Sequence, residues 1–82
     1  MVKRVQILKT PGCASCATAT DLIREIKKEE NLDFEIEELD LTENPDLLQK
    51  YQIMVSPGIV IDGKLEFTGL PSEKKLREKL IK

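Results

Sequence analysis

The residues able to do chemistry gather in one short stretch, "TPGCASCATAT", residues 10–20, which holds both cysteines of this 82-residue chain, Cys13 and Cys16, spaced C-x-x-C. Three kinds of chemistry use that spacing: half of a metal site, a structural disulfide, or a dithiol that passes electrons. A bridge closing so short a loop removes little entropy from the unfolded chain, which weighs against a purely structural disulfide. A zinc site normally takes four ligands. The chain has no histidine and no third cysteine, so metal would need Asp or Glu ligands or a second chain.

Position says more than spacing. "VKRVQIL", residues 2–8, alternates Val5 and Ile7 with polar neighbours and predicts a strand, which "KTPG" ends because Pro11 removes a ladder donor and Gly12 relaxes the backbone. From Ala14 to about Glu30, Ala19, Leu22, Ile23 and Ile26 recur at helical spacing, with Asn31 as the stop. Cys13 therefore falls in a strand-to-helix turn and Cys16 in the first helical turn. Free backbone N–H groups and the positive end of the helix dipole point at the Cys13 sulfur and stabilise its thiolate. Thiols so placed have pKa values lowered from about 8.5 into the range of about 3.5–7.5. Cys13 is then the attacking sulfur. Cys16, one turn later and buried, resolves the mixed disulfide that Cys13 forms.

The remaining elements must hold this turn in place. "FEIEELDL", residues 34–41, predicts a second strand, with Phe34 and Ile36 on one face; Leu39 and Leu41 break the alternation as a bulge or an early end would. "NPDLLQKY" begins a short helix with Asn44 as cap and Pro45 at its first position, turning Leu47, Leu48 and Tyr51 inward. "GIVID" is a strand covered on both faces, and "DGK" turns it into "KLEF" as a hairpin. Ser72 caps a closing helix with Leu76, Leu80 and Ile81 along one stripe. The first strand, helix and second strand form a crossover that sets its two strands parallel.

Length and composition bound the rest. A chain of this size suits one small domain. Its aromatics are only Phe34, Phe67 and Tyr51, so Leu, Ile and Val must build the core. The net charge of −2 covers an acidic middle and a lysine-rich end, both read as solvated faces. No basic patch interleaved with aromatics marks a nucleic-acid binder, and no segment reaches the length of a membrane span. "MVKRVQILKT" lacks the apolar stretch of a secretion signal, which makes the cytoplasm the expected compartment. No feature of the apolar pattern asks for an oligomer, and a monomer is expected.

With "GCASC" after the first strand, "VSPGIVIDGKLEF" as a proline-plus-hairpin unit and "TG" before the last helix, the chain resembles the thioredoxin/glutaredoxin superfamily over residues 2–82, most closely its very small redox proteins. The resemblance implies an α/β, thioredoxin-like fold. Its order is β-α-β-α-β-β-α, with a four-stranded mixed central sheet flanked by helices, as a single domain spanning residues 1–82. It also implies a thiol–disulfide oxidoreductase whose Cys13/Cys16 pair exchanges electrons with protein disulfides. No cofactor is expected beyond the redox-active disulfide Cys13–Cys16, and no metal.

In this family the proline opening the third strand is cis and lies beside the cysteines; the matching residues are Ser56 and Pro57. The residue before that proline offers backbone hydrogen bonds to an extended substrate, by a form of strand addition. Gly69 matches a family glycine whose missing side chain lets a partner approach. The substrate-binding residues implied are thus Gly12, Ser56, Pro57 and Gly69.

The chain also departs from family patterns. Gly12 stands where thioredoxin has tryptophan, Ile7 where it has a buried carboxylate, and Glu35, Glu37 and Glu38 where its next strand carries lysine. Ala14 and Ser15 replace the proline and tyrosine of the glutaredoxin C-P-Y-C. A dithiol-donating reductase is therefore the expected electron source. The competing reading is a metal- or partner-binding module that keeps the shape without general redox turnover. Copper chaperones also place C-x-x-C after a first strand but end in a strand, and they carry a methionine absent from this loop.

Overall fold

The computed structural model describes residues 2–81; Met1 and Lys82, the two ends of the expected domain, lie outside the described residues. The elements run β1 (Arg4–Lys9), α1 (Ala14–Glu29), β2 (Glu35–Asp40), α2 (Pro45–Tyr51), β3 (Gly58–Ile61), β4 (Lys64–Thr68) and α3 (Glu73–Ile81). The strands form one sheet in the order β2-β1-β3-β4. β1 and β2 are parallel, as their helical crossover requires, while β1–β3 and β3–β4 are antiparallel. This is the expected mixed four-stranded architecture, although β1 starts two residues later than its apolar pattern suggests and runs on to Lys9.

Strand alternation divides the core between the two faces of the sheet. Val5, Ile7, Ile59 and Ile61 point to one face, where they meet Ala19, Ile23 and Ile26 of α1 and Leu76 and Leu80 of α3. Leu8 and Val60 point to the other and meet Leu41 and Ile53, with Leu39, Leu47, Tyr51 and Leu65 packed around them. All four residues of β3 are buried, in keeping with its unbroken apolar run. At about 1.5–3 kcal/mol for each fully buried aliphatic side chain, these clusters supply most of the drive to fold.

The acidic second strand ends at Asp40, one residue before Leu41, and pairs with β1 in continuous register, from Arg4–Glu35 to Lys9–Asp40, so the break at Leu39 and Leu41 is no bulge. It marks a change of covered face. Phe34 and Ile36 join the cluster under α1 and α3, whereas Leu39 and Leu41 join the cluster on the α2 side. The irregularity in the sheet lies instead between Ile59 and Val60, against β4.

Three expectations about α2 and α3 are also corrected. Asn44 does not cap α2 through its side chain; its amide donates back to the Asp40 carbonyl at 2.9 Å. Leu48 is 40 % exposed, since a helix of seven residues resting on one sheet face has only a narrow inner stripe. Ile81 is 52 % exposed, in the last turn of α3, while Leu76 and Leu80 are buried.

Other signals hold. Ser72 Oγ accepts from Lys75 N–H at 3.3 Å, and Asn31 takes a positive φ of 52° just past α1. The β3–β4 turn places Asp62 and Gly63 at φ of 50° and 85°, the pair of positive values a tight hairpin turn needs. Asp62 also accepts from the N–H groups of Lys3 and Arg4, both at 2.9 Å, and these bonds hold its carboxyl below the usual range.

One charged residue ties α3 to the end of α1. The Arg77 guanidinium reaches Glu29 and Glu30 at 2.7 Å each and Glu73 at 2.9 Å. These carboxylates raise its already high pKa, the Glu73 hydrogen bond foremost. Because the cluster is solvent-accessible, Arg77→Ala should lower the urea midpoint only slightly, and the difference should shrink further in about 1 M salt. A drop undiminished by salt would mean that Arg77 acts through packing of its stem.

Candidate active site

β1 carries the chain out of the sheet at Lys9 and into the turn Thr10-Pro11-Gly12-Cys13. Cys13 N–H closes this turn on the Thr10 carbonyl at 3.3 Å. Proline second and glycine third, with Gly12 at φ +74°, is the residue pattern of a type II turn. A Cβ on Gly12 would meet nothing within 4 Å, so conformation rather than crowding calls for glycine there.

Cys13 is the N-cap of α1. Its sulfur takes the place usually held by a serine or aspartate oxygen and accepts the Cys16 N–H at 3.1 Å. The two sulfurs are joined as a disulfide, with Cα atoms 5.2 Å apart. Their settings differ: Cys13 is half-buried at the surface, and Cys16 is 2 % exposed on the inner face of α1.

The Ser56–Pro57 loop comes up on the opposite side, and its peptide bond is cis, as the resemblance implied. Ser56 Oγ lies 3.6 Å from Cys13 Sγ and 3.3 Å from Thr10 Oγ1. Pro57 is buried, and its carbonyl accepts the Gly69 N–H at 2.8 Å. Of the residues singled out from sequence, Cys13, Cys16 and Ser56 are thus in direct contact. Pro57 follows Ser56, Gly12 is the third residue of the turn that ends at Cys13, and Gly69 is tied in through Pro57. Gly69 has φ +80°, and Val55 Cγ1 lies 3.8 Å from where a Cβ would sit, so backbone conformation dominates its requirement too. Met54, Val55 and Leu70, exposed by 94, 57 and 48 %, lie in the segments that carry Ser56 and Gly69.

A cavity of about 390 Å³ opens on the other flank of the disulfide, lined by both cysteines together with Lys9, Thr20, Glu38 and Asp40. Lys9 Nζ sits 3.2 Å from Glu38 Oε2. That hydrogen bond, with the nearby charges of Lys9 and Arg24, holds the Glu38 carboxyl below the usual range. Asp40 is likewise held low, by the hydroxyl and N–H of Thr42 at 2.6 and 2.8 Å. The buried Thr20 hydroxyl donates to the Cys16 carbonyl at 3.1 Å. A carboxylate and a lysine therefore do lie beside the cysteine pair, on β2 and β1. A glutamate kept ionised in this way is a poor acceptor for a thiol proton.

Thr10, Thr20, Lys9 and Glu38 were not singled out by sequence reasoning. Two of them carried a signal. Thr20 follows Cys16 by four residues on the buried stripe, and Glu38 shares strand parity with Phe34 and Ile36. Among the described residues no group of three or more His, Cys, Asp or Glu is placed to hold a metal ion, and no helix is long and apolar enough to cross a membrane.

Comparison with known proteins places this geometry in context. A family model described as the thioredoxin domain matches residues 3–81. A thioredoxin of Methanocaldococcus jannaschii is 33 % identical over 79 residues, which cover 96 % of this chain and 93 % of that protein. A probable thioredoxin of Methanothermobacter thermautotrophicus is 31 % identical, covering 95 and 92 %. Among solved structures, thioredoxin-2 of the malaria parasite superposes with a TM-score of 0.76 over 98 % of this chain and 82 % of its own, at 15 % identity. That structural likeness bears on the fold alone.

Proposed function

The chain belongs to the thioredoxin family and is a thiol–disulfide oxidoreductase, and we propose that Cys13 is its attacking sulfur and Cys16 its resolving thiol. The observation that carries this division is the unequal setting of the two sulfurs. Cys13 Sγ receives a helix N-terminal N–H at the surface, while Cys16 is buried behind it.

In the reductive direction the Cys13 thiolate attacks one sulfur of a substrate disulfide. A bond forms between Cys13 Sγ and that sulfur, and the other substrate sulfur leaves as a thiolate. Cys16 then loses its proton and attacks Cys13 Sγ. This step forms the Cys13–Cys16 bond and releases the second substrate thiolate, so two electrons have passed to the substrate. A dithiol donor reverses the sequence and restores the pair.

The same reading has an extended protein segment lying beside Ser56, hydrogen-bonded to its backbone, with Pro57, Gly69 and Gly12 bordering it. The exposed apolar side chains of Met54, Val55 and Leu70 support a polypeptide substrate. The finer assignments belong to this proposal as well: residues 1–82 acting as one domain, a cytoplasmic monomer, and a protein dithiol reductase as donor. The last is supported by Ala14 and Ser15 standing where a glutaredoxin has proline and tyrosine.

The test is capture. Cys16→Ser, incubated with a protein disulfide, should accumulate a covalent adduct through Cys13 that a small dithiol releases, while a thiol-redox titration of the unaltered protein should give one two-electron transition. Adducts through Cys16 in a Cys13→Ser variant, with none in Cys16→Ser, would reverse the assignment.

A further inference from the structure

Thr10 stands outside the cysteine motif, yet the geometry points to it as a positioning residue for the reacting sulfur, acting through Ser56. This rests on Cys13 being the attacking thiol. The donor order along the contact chain follows from counting hydrogens. Cys13 Sγ, bonded to Cys16, has no hydrogen to give, so in the 3.6 Å contact the Ser56 hydroxyl is the donor. Ser56 has then used its one hydrogen, and in the 3.3 Å contact the Thr10 hydroxyl must donate to Ser56 Oγ. The order is therefore Thr10 O–H to Ser56 O–H to Cys13 sulfur.

A thiolate has no hydrogen either, so the same order holds once the disulfide is reduced and Cys13 ionises. Each donor in such a chain polarises the next, and a hydroxyl that itself accepts a hydrogen bond donates more strongly. Together with the Cys16 N–H at 3.1 Å, the relay gives the Cys13 sulfur donors from two separate elements, the start of α1 and the loop before β3. Thr10 and Ser56 are 46 residues apart, so their contact also fixes the rotamer of Ser56 against the sulfur.

The relay favours the Cys13 thiolate over the thiol, and the reduced pair over the disulfide. Thr10→Val keeps the side-chain shape and removes the donor. In the reduced protein, the midpoint of Cys13 ionisation, followed by thiolate ultraviolet absorbance, should rise by about half a pH unit, the size expected when one neutral hydrogen bond is weakened. The dithiol–disulfide equilibrium against a reference dithiol should move about threefold toward the disulfide. Thr10→Ser should restore both values. The charged groups facing the sulfurs from the neighbouring strands, Lys9, Glu38 and Asp40, are unchanged throughout the series.

A double-mutant cycle with Ser56→Ala separates relay from packing, since a residue acting only through Ser56 has nothing to act on once that hydroxyl is gone. Thr10→Val should then add no shift to Ser56→Ala. An equal shift in both backgrounds, no shift in either, or failure of Thr10→Ser to restore the midpoint would overturn the relay. Thr10→Ala serves as the donor-free variant if valine impairs folding. Mapping which cysteine is alkylated first, by mass spectrometry in the same samples, tests the premise. Labelling of Cys16 before Cys13 would strike at the assignment of the attacking thiol, whereas prompt labelling of Cys13 with an unmoved midpoint would strike at the relay alone.

Discussion

Cys13→Ser should lower the rate at which the protein reduces a protein disulfide by at least about a thousand-fold, to the background of the dithiol used as electron donor. The size follows from the chemistry. Turnover runs through a covalent sulfur–sulfur bond between protein and substrate, and a serine oxygen forms no such bond. Nor does the second cysteine offer a substitute route, because at 2 % exposure Cys16 is shielded from an incoming substrate. The assay is disulfide reduction in a protein substrate with a small dithiol as donor, compared at equal folded concentration. Retention of more than about a tenth of the activity would show that Cys13 is not the nucleophile.

The two cysteine variants should fail differently. Cys13→Ser never begins the reaction, whereas Cys16→Ser begins it and stalls at the mixed disulfide. This asymmetry originates in the backbone. The type II turn and the start of α1 leave one sulfur at the N-cap with the Cys16 N–H directed at it, and helical periodicity turns the other inward beside Ala19 and Thr20. A pair with equal access to substrate would show no such split.

Much of this was legible in the sequence because local rules carried it. Pro11 and Gly12 ended β1, the apolar stripe of α1 set Cys16 on its inner face, and Asp62-Gly63 closed the hairpin, each through a pattern confined to one short segment. What escaped reading depends on contacts distant in sequence. Leu39 and Leu41 read as a bulge or an early end because alternation cannot report that the chain changes its covered face when α2 packs over one end of the strand. Leu48 and Ile81 looked like inner residues because spacing fixes the face of a helix but not how far the sheet extends beneath it. Thr10 and Ser56 carry no shared signal at all: their contact exists because β1 and β3 are neighbours in antiparallel register, Leu8 opposite Gly58. Glu38 was the exception, since its parity with Phe34 and Ile36 was available from the start.

The second large effect tests whether that β1–β3 pairing is what holds the site together. Ile59→Ala should destabilise the protein by about 3 kcal/mol, within the range for truncating a fully buried isoleucine. Ile59 is 0 % exposed on a central strand, opposite Ile7 of β1 and Phe67 of β4, beneath α1 and α3. Packed strands on both sides and helices above leave little freedom to collapse into the cavity, which places the cost away from the low end of that range. A chain of this length is stabilised by roughly 5–12 kcal/mol in all, so the variant should fold but lose a large share of its margin. Urea unfolding should show a lower midpoint with an unchanged slope. Ile81→Ala, the same chemical change at a site 52 % exposed, should stay within about 0.5 kcal/mol. Ile59 lies two residues beyond Pro57, yet its side chain belongs to the core and not to the reacting groups. Activity per folded molecule should therefore persist in Ile59→Ala under native conditions and fall in urea along the unfolding curve. Early loss of activity, before global unfolding, would instead show that the Ser56–Pro57 loop leaves Cys13 while the rest of the sheet remains intact.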